Sequence, residues 1–135
     1  MKIRRRTALQ LMLAATSTVA APAVLRAQAA PFRLGLLTVK TGPLAQGGIQ
    51  MEQGTNTYLK QKNSMFAGRK VELFSADTGG NPAGARTKAQ ELIEREHVDF
   101  IVGPLAAFEL LAISDYTAQQ KCPILSLAAA EARTK

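Results

Sequence analysis

The sequence predicts an α/β protein, a doubly wound parallel sheet of four strands alternating with three helices. Short apolar or alternating runs take turns with helical-period segments of about fifteen residues. Gly- and Pro-bearing breaks at Gly68, Gly79–Gly80 and Gly103–Pro104 punctuate them. Because a helix follows each of the first three strands, the strands run parallel, and right-handed crossovers place helices on both faces.

The first strand is Phe32-Arg-Leu-Gly-Leu-Leu37, short and largely apolar, followed by a turn-rich stretch from Thr38 to Gly48. Ile49 to about Asn63 lacks proline and sets Met51, Thr55, Tyr58 and Leu59 on one helical face. After Gly68, Lys70-Val-Glu-Leu-Phe-Ser-Ala76 alternates as a half-buried strand does. Asn81-Pro82 is a strong helix start, an N-cap side chain followed by proline at the first helical position. The helix to about Glu96 turns Ala85, Ala89, Leu92 and Ile93 inward and Arg86, Lys88, Glu91, Glu94 and Arg95 outward. Val98-Asp-Phe-Ile-Val102 is the third strand, Leu105 to Lys121 is largely helical from near Ala107 or Phe108, and Cys122 to Leu127 is the fourth strand.

The N-terminus has a different character. Met1-Lys-Ile-Arg-Arg-Arg6 is a compact basic cluster, Thr7 to Ala21 is small, apolar and uncharged, and Ala27-Gln28-Ala29 offers a small-x-small cleavage site. This pattern predicts a signal peptide over residues 1–29, cut after Ala29, leaving 30–135 as the mature part. An uncharged run of that length is shorter than the roughly twenty residues of a membrane span, so no membrane insertion is expected. Arg5-Arg6 resembles a twin-arginine signal, and both that route and the general secretory route stay open.

Removing the leader changes the electrostatics. The chain holds 17 Lys and Arg against 10 Asp and Glu, a net charge of +7. Lys2, Arg4, Arg5, Arg6 and Arg26 all belong to the leader, so the mature part has a net charge of about +2. No basic cluster remains there, so nucleic acid is not an expected partner.

Catalysis has no candidate constellation. His97 is the only histidine, placed to end a helix or face water, and Cys122 is the only cysteine, placed in a strand as a small hydrophobe. Neither a metal-ligand cluster nor a Cys–His pair is evident, and no cofactor is implied. Glu109 and Asp115 lie on different faces of one helix. Thr41-Gly-Pro-Leu-Ala-Gln-Gly-Gly48 occupies the place of a dinucleotide fingerprint but lacks its glycine spacing, with Asp77 as a weak match to a ribose-binding acid. What remains is a binding wall at the carboxyl ends of the strands. Gly103-Pro-Leu-Ala-Ala107 leads into a helix N-terminus, whose free N–H groups favour an anion such as a carboxylate. Ala106, Ala107, Ala128, Ala129 and Ala130 would let a ligand approach closely, or would merely pack tightly.

Five segments, in order, carry a resemblance: Phe32-Arg-Leu-Gly-Leu-Leu37, Thr41-Gly-Pro-Leu-Ala45, Asp77 with Asn81-Pro82, Val98-Asp-Phe-Ile-Val-Gly-Pro-Leu105 and Pro123-Ile-Leu-Ser-Leu-Ala-Ala-Ala130. Together they resemble the periplasmic solute-binding proteins of ABC importers, of the leucine/isoleucine/valine-binding type. The resemblance implies a two-lobed protein of roughly three times this length, with residues 30–135 forming an incomplete first lobe of type I, and delivery of a small organic solute to an ABC permease. It implies ligand contacts at Ala107 and Phe108, at Ala128 and Ala130, and an aromatic contact at the position of Gly47. Branched-chain binders carry Ser or Thr where this chain has Ala107 and Ala130, so the pocket is expected to be more apolar and suited to aromatic or related organic acids. The positions of a disulfide in those binders correspond to Gly80 and Ala106, so that bridge is not used here. An exported Rossmann-like α/β oxidoreductase is the alternative, and a receptor ectodomain of the same fold is a third class. With its sheet incomplete, residues 30–135 alone are expected to fold poorly.

Overall fold

The computed structural model describes residues 30–126. The predicted leader, its cleavage site and Ala128–Ala130 lie outside the described residues. The elements are β1 (Phe32–Thr38), α1 (Ala45–Gln61), β2 (Met65–Phe66), β3 (Arg69–Asp77), α2 (Pro82–Gln90), β4 (Phe100–Val102), α3 (Ala107–Gln119) and β5 (Ile124–Leu125). The four expected parallel strands and three helices are all present, and the sheet order is β2-β3-β1-β4-β5.

The sheet differs from expectation by one strand. Met65 and Phe66 pair antiparallel with Lys70 and Arg69, so the sheet has five strands and is mixed. The hairpin turns through Ala67 and Gly68, both at positive φ (48° and 79°), the geometry whose twist matches a two-residue hairpin. Ala67-Gly68 lacks the Asn-Gly or Asp-Gly signature of that turn, and a two-residue strand has no periodicity to read.

Alternation along the strands divides the side chains between two faces. Leu37, Ile101, Phe74 and Ile124 point toward α2 and α3, where they meet Ala85, Ala89, Leu92, Ile113 and Tyr116 in the core. Each fully buried Leu or Ile there contributes roughly 1.5–3 kcal/mol. Asn81 caps α2 as its sequence predicts, Oδ1 accepting from Gly84 N at 2.8 Å. Beyond Gln90 the helix widens into a π-type turn over Glu91–Arg95, Glu96 N donating to Glu91 O at 3.1 Å. His97 then takes φ +48°, the left-handed conformation that ends helices, and is exposed. Cys122 is a buried free thiol whose pKa is pushed up by burial and then by the nearby Asp99 charge.

On the opposite face α1 lies over Leu34 and Val71. It starts at Ala45, earlier than the glycine pair suggests, because Gly47 and Gly48 sit inside the helix. A Cβ on Gly48 would fall 1.9 Å from Val39 O, so only glycine permits this approach of helix to strand end. Between α1 and the sheet runs an apolar trough of about 540 Å³, lined by Phe32, Leu34, Tyr58, Phe66, Val102 and Leu125, among others. Tyr58, assigned to the inner face of α1, is therefore 55% exposed at its rim.

Candidate functional site

The connections from β1 and β4 leave in opposite directions. The chain passes from β1 through α1 to β3 on one side, and from β4 through α3 to β5 on the other, so adjacent β1 and β4 flank a topological switch point. Ligands of open α/β sheets bind in the crevice beyond the strand ends at such a point, which makes this the candidate crevice. The fold thus selects the loops after Thr38 and after Val102, with the loop after Asp77 beside them.

The second of these loops leads into the N-terminus of α3. Gly103 takes φ +105°, and a Cβ on it would meet Leu37 O at 2.1 Å, so the backbone of this loop passes directly against β1. The Gly103–Pro104 peptide is cis. Ala106 is the N-cap in extended conformation, φ −103° and ψ 142°. Alanine has no side-chain acceptor, so among the described residues no side chain caps the first-turn N–H groups. Ala107 is half-buried at the first helical position, and Phe108 follows with 44% of its surface exposed. Gly47, in the first turn of α1, faces the same loop: a Cβ there would lie 3.3 Å from Leu105 Cδ2. The structure therefore places Gly47 against the loop that leads to Ala106, Ala107 and Phe108, and Ala128, Ala129 and Ala130 lie outside the described residues.

Two carboxylates tie the loops at this edge together, through contacts that residue order does not announce. Asp77 Oδ1 accepts from the backbone of Lys40 (2.8 Å) and Gly79 (2.9 Å), and Oδ2 accepts from the Thr41 hydroxyl (3.0 Å). Partial burial acts to raise the Asp77 pKa, but these donors and the Lys40 charge outweigh it and hold the carboxyl below its ordinary value. An acid so engaged with its own loops is poorly placed to receive a ribose. Next along the chain, the Thr78 hydroxyl donates to Glu109 Oε1, and Glu109 Oε2 accepts from Ala106 N at 3.3 Å. Glu109 is fully buried. Its signal was available as a glutamate at the third helical position, half of a capping box, although the box's usual Ser or Thr partner is Ala106.

Other groups lie apart from the crevice. The apolar trough lies on the α1 face of the sheet. Among the described residues, no three His, Cys, Asp or Glu side chains are grouped to hold a metal ion. No described helix is long and apolar enough to cross a membrane.

Comparison with known proteins gives consistent matches. A family model described as periplasmic binding protein matches residues 31–135. A Leu/Ile/Val-binding protein of Rhizobium johnstonii is 30% identical over 92 residues, covering 67% of this chain and 25% of the relative. An ABC transporter substrate-binding protein from Sphaerobacter thermophilus is 35% identical with a TM-score of 0.69, over 73% of this chain and 27% of that one. A solute-binding protein of an ABC transporter from Rhodopseudomonas palustris BisB5, in complex with 3,4-dihydroxybenzoic acid, is 31% identical with a TM-score of 0.70, over the same shares. The chain spans about a quarter of the length of these relatives.

Proposed function

The chain belongs to the periplasmic binding protein family, and from that premise we propose that it supplies one wall of the solute cleft in the extracytoplasmic substrate-binding component of an ABC importer. The family is one of binding proteins and not of enzymes. Residues 1–29 act in this proposal as the cleaved export signal, residues 30–135 as the first part of lobe one, and the periplasm as the working compartment. The partners are a small organic solute and, for the whole protein, an ABC permease.

The observation that carries the proposal is the β1/β4 switch point, beyond which the uncapped start of α3 carries the exposed ring of Phe108. Such N–H groups suit a carboxylate, and the ring suits an apolar or aromatic body. Ala107 offers no hydroxyl to an amino acid's carboxylate or ammonium group, which favours an aromatic or related organic acid over leucine. A relative of this chain is described in complex with 3,4-dihydroxybenzoic acid, which supports that direction. The oxidoreductase alternative loses its one acidic candidate, because Asp77 is occupied by three donors of its own chain.

Calorimetric titration of the full-length protein with 3,4-dihydroxybenzoic acid and with leucine tests the proposal. Saturable binding of the aromatic acid is expected. Tight leucine binding with no response to the aromatic acid would overturn the solute preference, and a bound redox cofactor in the absorbance spectrum would revive the enzyme alternative.

A further inference from the structure

Glu109 stands out among the buried groups because its surroundings leave it without a countercharge. Its side chain is fully buried, and among the described residues no Lys or Arg forms an ion pair with it. A buried carboxylate is costly unless its oxygens are well hydrogen-bonded, and an apolar residue of similar size would fill the same space more cheaply. Its two oxygens are used on two different loops. Oε1 receives the hydroxyl of Thr78, beyond β3, and Oε2 receives the N–H of Ala106, beyond β4.

Thr78 is itself well anchored. Its N–H donates to Thr38 O at 2.9 Å, extending the β1–β3 ladder, and its carbonyl accepts from Asn81 Nδ2 at 3.2 Å. A Cβ on Gly84 would lie 2.0 Å from that carbonyl, so α2 holds Thr78 from the other side. Ala106, by contrast, is a cap without a capping side chain. Its extended backbone sets where the N–H groups of Ala107 and Phe108 point, and the bond to Glu109 restrains it from a fixed post on the sheet.

We infer that Glu109 is a positioning residue of the solute wall: through Thr78 it holds Ala106, and so aims the first-turn N–H groups of α3 into the crevice. The inference rests on the solute-binding function proposed above, but its geometric content can be read without a solute. A fixed wall loses less freedom on binding than a loose one, so the benefit appears as affinity.

The test uses Glu109→Gln, Glu109→Leu and Thr78→Val in the full-length protein, with amide exchange by NMR and titration with 3,4-dihydroxybenzoic acid and leucine. Gln keeps an acceptor for Ala106 N and a polar contact to the Thr78 hydroxyl, so E109Q should stay within about threefold of the parent affinity. E109L removes both bonds. It should speed exchange of the Ala106 N–H about tenfold or more and weaken solute binding about tenfold, while Leu36 and Ile101 stay protected. T78V should move both readouts in the same direction by a smaller factor. Unchanged Ala106 exchange and affinity in a folded E109L would overturn the inference. Should E109L lose protection throughout the sheet, T78V decides by the same readouts. A parent protein that binds neither probe would overturn the solute reading for these compounds, and the Ala106 exchange rate would still decide the role of Glu109.

Discussion

The Asp77 carboxylate accepts the backbone N–H of Lys40 at 2.8 Å, joining the loop beyond β3 to the loop beyond β1 beside the candidate crevice. The same group takes the Thr41 hydroxyl and Gly79 N–H, so a single side chain orders both turns. Because its pKa is lowered on folding, its stabilising contribution is present above the unfolded value of about 3.9 and is lost as pH falls through that value toward the lower folded one. Asp77→Ala should cost about 1–2 kcal/mol at pH 7, kept modest by solvent exposure, and should flatten the acid limb of a stability–pH curve measured by urea denaturation. An unchanged acid limb would show that the donors do not favour the ionised form.

Tyr116 and Glu94 make the corresponding alkaline prediction. The phenol lies in the core and donates to Glu94 Oε1 at 2.8 Å. Burial first, and the Glu94 bond and charge next, push its pKa up to about 12. The unfolded phenol loses its proton near 10, so the stabilising contribution is intact below about pH 10 and disappears as pH rises from there toward 12. Tyr116→Phe should remove that alkaline loss and cost about 1 kcal/mol at neutral pH, where the hydrogen bond is missing. Tyrosinate absorbance at 295 nm provides an independent titration.

Two glycines should respond in opposite senses to alanine. At Gly103 the added Cβ meets Leu37 O at 2.1 Å in a backbone of φ +105°, so Gly103→Ala should destabilise by about 3 kcal/mol and displace the Ala106–Phe108 wall. At Gly54, inside α1 and exposed, nothing lies within 4 Å of the new methyl. Gly54→Ala should stabilise by roughly 0.5–1 kcal/mol. Thermal midpoints of the two variants check the pair.

The trough over β1 and β4 predicts the behaviour of residues 30–135 on their own. Phe66 and Leu125 stand 60% and 53% exposed at its edge. The isolated segment should bind a hydrophobic dye and lack a cooperative thermal transition, and Phe66→Ser with Leu125→Ser should reduce the dye signal. A sharp, reversible melt of the segment would show that its core suffices.

Much of this architecture is visible in the residue order. Asn81-Pro82 announces the start of α2, Gly103-Pro104 the end of β4, and the 3.6-residue spacing of Ala85, Ala89 and Leu92 the buried stripe of that helix. These are local signals, each set by the conformational preference of one or a few neighbouring residues. Met65–Phe66 has no sequence signal of its own, because pairing, not composition, makes it a strand. Gly47-Gly48 reads as a turn before α1, and its place inside the helix is explained at Gly48 by Val39 O lying 1.9 Å from an added Cβ.

The wall of the crevice divides the same way. Residue order alone carries the α/β alternation, the family resemblance and the set of loops that meet at one edge of the sheet, because strand–helix order dictates which loops share an edge. What holds those loops comes from contacts between distant positions. Asp77 touches Lys40 from 37 positions away, and Glu109 reaches Thr78 across 31, and no local preference reports such distances. Read along the chain, Glu109 is an acid on a helix with no partner. Folded, it is the buried link through Thr78 and Ala106 between two loops, because the crossovers carry β3 and β4 to opposite sides of β1 and bring their ends to one edge.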